Sequence, residues 1–257
     1  MAKLKMTSTV VSQEMIATDI YSLWLKAEEI AVQAKPGQFI SVYCKDSGKI
    51  LPRPISICEV NKEEGTLRIV YRVVGGGTTE MSGYVSGDDI DILGPLGNGF
   101  MQREGKKAIL IGGGIGIPPM VQLGKELKEI AEVQTVAGYR DELFLIDELE
   151  KNGDVYITTE DGSTGTKGTV IDAIKACAVT GDVIYACGPT PMLRAIKEYA
   201  LANDIECQIS LEEKMACGIG ACLGCVCKSK EKDHHTNVNN KRICKDGPVF
   251  LAQEVEL

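Results

Sequence analysis

Ala108-Ile-Leu-Ile-Gly112-Gly-Gly-Ile-Gly116-Ile-Pro-Pro-Met120 is the stretch that decides the fold. Its opening apolar run fits a strand buried on both faces. The glycines form a tight turn, and the two prolines open a helix that the pattern carries to about Ala131. A strand, a glycine turn and a helix make the βα step of a parallel sheet. The amides of such a turn, with the helix N-terminus, can hold a phosphate. Alone the signal is weak, because the run is not G-x-G-x-x-G and glycine turns also serve packing.

Downstream, Gln134–Gly138, Asp154–Thr158 and Asp182–Cys187 are further apolar runs, with helical stretches over Lys167–Ala176 and Met192–Ala202. Strands alternating with helices extend the parallel α/β reading. Cys187-Gly-Pro-Thr-Pro-Met192 stands at the carboxyl end of a strand, where ligands bind in open α/β sheets; an ordinary strand–turn–helix with a proline near N1 would look the same. Upstream the pattern is different. Gly37–Tyr43, Leu51–Ile57, Thr66–Val74 and Asp89–Leu93 are short strands between glycine, Asp and Asn turns, which predicts a small closed barrel. Within it, Arg53-Pro-Ile-Ser56 offers a guanidinium suited to a pyrophosphate and a hydroxyl suited to a flavin edge. Taken singly, an Arg in a strand is as well explained as a solvated charge. Gly75-Gly-Gly-Thr78 opens a short helix for which Thr78 is the expected cap.

From about Ser210 the chain turns cysteine-rich. Cys217-Gly-Ile-Gly-Ala-Cys222-Leu-Gly-Cys225-Val-Cys227 is followed by Cys244 after a polar loop. C-x₄-C-x₂-C with a distant fourth Cys is the plant-type [2Fe–2S] spacing, and it implies one-electron chemistry. Zinc knuckles are usually C-x₂-C pairs. Disulfides are disfavoured, since no signal peptide opens the chain and a cytoplasmic setting is expected. Cys227 reads as a small apolar residue near the cluster. Cys44, Cys58, Cys177, Cys187 and Cys207 stand singly, as buried structural thiols do. A net charge of −8 argues against nucleic acid and acidic membranes, and 5% aromatics leaves no base-stacking platform. His234 and His235 read as solvated loop residues.

The order of these motifs resembles the ferredoxin–NADP⁺ reductase superfamily, and Ser210–Cys225 narrows the resemblance to the electron-transfer subunits of type 1B dihydroorotate dehydrogenases. Gly113–Met120 and Thr159–Thr169 are similar to that family too, and the resemblance runs from the barrel to Val249. It implies an antiparallel FAD-binding barrel over residues 1–103, a parallel α/β NAD-binding domain over 104–209 and a small [2Fe–2S] segment over 210–257. Arg53, Pro54, Ile55, Ser56, Val70, Tyr71, Arg72, Gly77 and Thr78 would hold FAD. Gly112, Gly113, Gly114, Gly116, Cys187, Gly188, Pro189 and Met192 would hold NAD(H), and Cys217, Cys222, Cys225 and Cys244 the cluster. No catalytic side chain is implied here: an FMN-containing partner, two copies of each chain together, would oxidise dihydroorotate for pyrimidine synthesis. Simple reductases end in an aromatic residue stacked on the flavin; this chain continues instead, so that flavin face must be covered differently. Two other readings remain at this point: a flavin and iron–sulfur subunit of an NAD(P)H–ferredoxin or hydrogenase-like complex, and a zinc-stapled nucleotide-binding regulator. Arg140, after the second α/β strand, has no basic neighbour, which favours NAD⁺ over NADP⁺.

Overall fold

The computed structural model describes residues 3–232 and 237–257. His234 and His235 lie outside the described residues.

Six antiparallel strands close the barrel: β1 (Leu4–Ala17), β2 (Ile20–Lys26), β3 (Phe39–Val42), β4 (Arg53–Asn61), β5 (Thr66–Arg72) and β6 (Asp89–Leu96), in the order β1-β2-β5-β4-β3-β6. Alternation does the sorting. In β6, Asp89 and Asp91 face water while Ile90 and Ile92 are buried, as a two-residue period requires. Leu23, Leu25, Ile40, Ile57 and Ile69 fill the same interior. Two short helices pack on this core, α1 (Glu28–Ala31) through Ile30 and α2 (Gly76–Met81) through Met81. The barrel's first two strands were not legible: β1 mixes polar and apolar residues in equal number and is half exposed along its length.

The second layer is a seven-stranded sheet. Its parallel strands are β7 (Lys107–Gly113), β8 (Glu132–Tyr139), β9 (Asp154–Thr159), β10 (Thr166–Lys167), β11 (Val183–Cys187) and β12 (Glu206–Ser210). Helices α3 (Pro118–Leu127) and α4 (Ile146–Glu150) cover one face, meeting Ala108, Leu110 and Tyr185. Helices α5 (Val170–Ala176) and α6 (Thr190–Ala202) cover the other, meeting Ile109, Ile111, Ile184 and Ala186. The order is β10-β9-β8-β7-β11-β12 and then a final strand. The chain therefore winds outward in opposite directions from β7, and the switch point falls between β7 and β11, where Gly112 pairs with Cys187. Such a crevice is where open α/β sheets bind ligands.

The cysteine-rich tail forms a hairpin of β13 (Val226–Lys228) and β14 (Asn240–Arg242), a turn of helix α7 (Ile243–Asp246), and β15 (Val249–Leu251). β15 is that final strand, antiparallel to β12. Cys225, Ile243, Cys244 and Phe250 thereby join the same core as α5 and α6. The tail also binds the barrel: the Asn98 amide donates to the Gly247 carbonyl at 2.6 Å, and Lys3 Nζ to the Ile219 carbonyl at 3.0 Å. Between barrel and sheet, Gln122 on α3 accepts from the Val60 amide at 2.9 Å, and Arg68 on β5 pairs with Glu148 on α4 at 2.9 Å. No helix among the described residues is long and apolar enough to cross a membrane.

Candidate functional site

A cleft of about 550 Å³ opens where barrel, sheet and tail meet. Arg53, Pro54, Ile55 and Ser56 line it from β4, Val70, Tyr71 and Arg72 from β5, and Thr78 from α2. Gly77, the remaining residue expected in this group, lies directly beneath Arg53: a Cβ there would stand 1.8 Å from Arg53 Nε. Arg53 is held in place by the carbonyls of Lys49, at 3.5 Å, and Leu51. The cap of α2 differs from expectation. Gly75 is the N-cap, and Thr78 at N3 reaches back, its hydroxyl oxygen accepting from the amides of Val74 at 2.9 Å and Gly75 at 3.2 Å. This is the half of a capping box in which the N3 side chain reaches back to the N-cap amide; Gly75, without a side chain, cannot supply the other half. Tyr71 is buried with its hydroxyl committed to Gln13, at 2.8 Å.

The sequence missed the opposite wall. Ser210, Leu211, Glu212, Glu213, Lys214 and Met215, with Pro248, close the cleft from the tail side. Glu212 is exposed at the cleft mouth, yet the protein atoms crowded around its carboxyl still desolvate it and raise its pKa.

The glycine turn meets the cleft at its tip. Ile115 lines the cleft, while Gly114 lines a second cavity of about 300 Å³ with Thr18, Asp19, Arg72, Tyr139 and Arg140 to Glu142. The rest of the two nucleotide motifs pack on each other. A Cβ on Gly116 would meet the Cys187 carbonyl oxygen at 2.3 Å, and one on Gly113 the Met192 sulfur at 2.4 Å. These glycines are therefore close-approach positions. Cys187 and Gly188 are buried; burial pushes the Cys187 thiol pKa up. Pro189 is exposed and Met192 half-buried at the rim. Arg140 is exposed and pairs loosely with Asp141, at 3.9 Å.

Beyond Met215 the chain runs straight into the thiol loop. Cys217 Sγ lies 3.3 Å from Cys222 Sγ and accepts from the Cys222 amide at 3.4 Å. Burial raises the Cys217 pKa, but amides of Cys222, Ile219 and Ala221 directed at the sulfur outweigh it and bring it to about 6. The loop curls this tightly because Gly218 and Gly220 take φ of +65° and +84°, left-handed values that disfavour other residues. Cys225 and Cys244 form a second pair, the Cys244 amide donating to Cys225 Sγ at 3.4 Å. Burial and the neighbouring Cys225 raise the Cys244 thiol to about 12. No three His, Cys, Asp or Glu side chains among the described residues converge as ligands of one ion. Two thiol pairs, one of them in a nest of amides, instead suit a group with two metal centres, and the donor set is the all-thiolate one that iron–sulfur centres take. Cys227, on β13, is half-buried and packs on the core. Of the single cysteines, Cys58, Cys187 and Cys207 are buried as expected; Cys44 is half-buried, and Cys177 is exposed because it ends α5 at the surface.

Residues 212–256 match the family described as the iron–sulfur cluster binding domain of dihydroorotate dehydrogenase B. The dihydroorotate dehydrogenase B (NAD⁺) electron transfer subunit of Caldanaerobacter subterraneus is 43% identical over 98% of both chains. This chain belongs to that family. The subunit of the same description from Listeria monocytogenes is 46% identical over 96% of this chain and 97% of that one. Residues 6–100 match the oxidoreductase FAD-binding domain family. Among solved structures, an NADH-dependent reduced ferredoxin-NADP oxidoreductase chain superposes with a TM-score of 0.87, at 32% identity over 97% of this chain and 89% of its own. The ferredoxin reductase of carbazole 1,9a-dioxygenase, with a TM-score of 0.66 at 21% identity over 80% of this chain and 67% of its own, shares the fold. An electron transfer subunit of an oxidoreductase implies a catalytic partner subunit.

Proposed function

We propose that this chain carries electrons from the FMN of a dihydroorotate-oxidising partner to NAD⁺, in a cytoplasmic assembly of two copies of each subunit that serves pyrimidine synthesis. The observation that carries the reading is continuity: Met215 lines the cleft, and two residues later Cys217 begins the thiolate loop. A flavin site and a one-electron site are thus joined by one short piece of backbone.

Three functional units are proposed: FAD on 1–103, NAD(H) on 104–209 and the cluster on 210–257. In the first, Arg53 meets the FAD pyrophosphate, supported by its position over Gly77 at the start of α2, where charge-assisted bonds to phosphate are strong. Pro54, Ile55, Ser56, Val70, Tyr71, Arg72 and Thr78 shape the flavin walls. In the second, Gly112, Gly113, Gly114 and Gly116 with Cys187, Gly188, Pro189 and Met192 bring the nicotinamide nucleotide to the cleft, and the half-buried tip at Gly114 and Ile115, which lines the two cavities, supports this. In the third, Cys217, Cys222, Cys225 and Cys244 would hold the cluster, which would exchange single electrons there. When bound, FAD exchanges a hydride with the nicotinamide and single electrons with the [2Fe–2S] centre, which no two-electron or one-electron group alone can do. The chain's own part is to hold these groups and to exclude water between them; the buried Cys225 and Cys244 and the wall at Leu211 and Met215 do so.

The solved ferredoxin-NADP oxidoreductase shares this layout, so the fold alone supports the NAD(P)H–ferredoxin reading as well. Near-full-length identity with the dihydroorotate dehydrogenase B subunits favours the first reading. Co-expression with the cognate catalytic chain tests it. One complex whose dihydroorotate:NAD⁺ activity needs both chains is the expected result. Subunits that never co-elute and never reduce NAD⁺ on mixing would move the ferredoxin reading ahead.

A further inference from the structure

Among the described residues, the buried side-chain polar atoms without a hydrogen-bond partner are Ser41 Oγ, Thr66 Oγ1 and Arg242 Nε. Two of these three flank the same loop. Ser41, on β3, is fully buried, and a Cβ on Gly218 would stand 2.9 Å from its Oγ. Its neighbours across the sheet are Pro54 and Leu93, whose side chains offer nothing to bond. Arg242 grips the loop from the tail side: Nη1 donates to the Gly220 carbonyl at 3.0 Å, while Nε is 3.5 Å from its carboxylate partner on Asp246. The loop between them carries Cys217, whose sulfur already takes its neighbouring amides. Pro54 lines the flavin cleft. Ser41 therefore stands in the wall between that cleft and the thiolate loop.

Buried hydroxyls are almost always hydrogen-bonded, and an exception calls for an explanation. We propose that Ser41 is a positioning residue whose hydroxyl donates a hydrogen bond to a sulfur of the iron–sulfur group on the Cys217 loop, and that this bond raises the centre's reduction potential. Hydrogen bonds to the sulfurs favour the reduced, more negative state, which is how such centres are tuned. The inference rests on the four cysteines being the ligands.

The test is a potentiometric titration of the cofactor-loaded chain, followed by electron paramagnetic resonance, after iron and sulfide have been counted. Ser41→Ala is expected to keep full iron and to titrate at a more negative potential, with a several-fold smaller equilibrium constant for reduction. Ser41→Thr and Ser41→Val, close in shape but differing in the hydroxyl, carry the comparison if the alanine variant assembles poorly: the threonine chain should titrate at the higher potential. An unchanged potential in an iron-replete Ser41→Ala chain, or identical potentials for the threonine and valine chains, overturns the proposal. A wild-type chain without iron or sulfide would instead overturn the ligand reading beneath it.

Discussion

Arg53 packs on Gly77 so closely that a side-chain carbon on the glycine would fall 1.8 Å from the guanidinium Nε. The two residues come from different elements, and each needs the other: only a glycine lets the guanidinium lie over the first turn of α2. Arg53→Ala should therefore bind FAD more weakly while keeping the fold. Loss of a hydrogen bond to a charged group costs about 1.5–3 kcal/mol, so affinity should fall by roughly one to two orders of magnitude. Gly77→Ala should do the same by displacing Arg53. Flavin released on heat denaturation measures both, and wild-type FAD content with wild-type affinity would leave Arg53 a surface charge.

Cys217→Ser, Cys222→Ser, Cys225→Ser and Cys244→Ser should each abolish the iron–sulfur group, and Cys227→Ser should leave it. The first four face each other in two pairs; Cys227 instead packs on the core from β13. Iron and acid-labile sulfide in each purified variant decide this. Full iron in Cys244→Ser together with none in Cys227→Ser would reverse the assignment.

Desolvation raises the Glu212 pKa above the ordinary 4.5 of a glutamate. As pH climbs through that ordinary value the unfolded chain ionises first, so this group costs stability over the interval up to its folded pKa, and the cost stays at higher pH. Glu212→Gln should consequently melt above wild type at neutral pH, and the difference should vanish below about pH 4.5. Thermal melts of both chains from pH 4 to pH 8 check this. A variant less stable than wild type at pH 7, or a gap that widens on acidification, would mean that the carboxylate is favourably paired.

Ile219, Leu223 and Val226 expose 42%, 55% and 38% of their surface around the thiolate loop. Apolar groups gathered at the rim of an electron-transfer site suit a partner's docking face. Leu223→Asp should keep both cofactors and the NADH:dye activity of the isolated chain, yet weaken association with the catalytic subunit at least tenfold, as read by titration of one chain against the other. Unaltered binding would place the contact elsewhere.

The α/β half was legible because buried parallel strands are uninterrupted apolar runs: Ala108–Ile111 and Val183–Cys187 needed no context. The four thiols were legible because metal chemistry fixes their spacing. The first two barrel strands were not, since β1 mixes polar and apolar residues with no continuous buried run, and neither was β15, whose short apolar run means little until it meets β12. The tail-side wall of the cleft escaped for a different reason. Glu212 and Lys214 look like an ordinary charged linker, and only the tail's return through β15 folds them over the barrel.

Electrons should reach NAD⁺ from dihydroorotate only by way of the thiolate loop. The direct measurement is anaerobic formation of NADH from dihydroorotate and NAD⁺ by the reconstituted complex, wild type against Cys222→Ser, each with its flavin content confirmed. The wild-type complex should form NADH; the Cys222→Ser complex, lacking iron, should form none while its NADH:dye activity persists. NADH formation at the wild-type rate in the iron-free complex would mean that electrons bypass the thiolate loop.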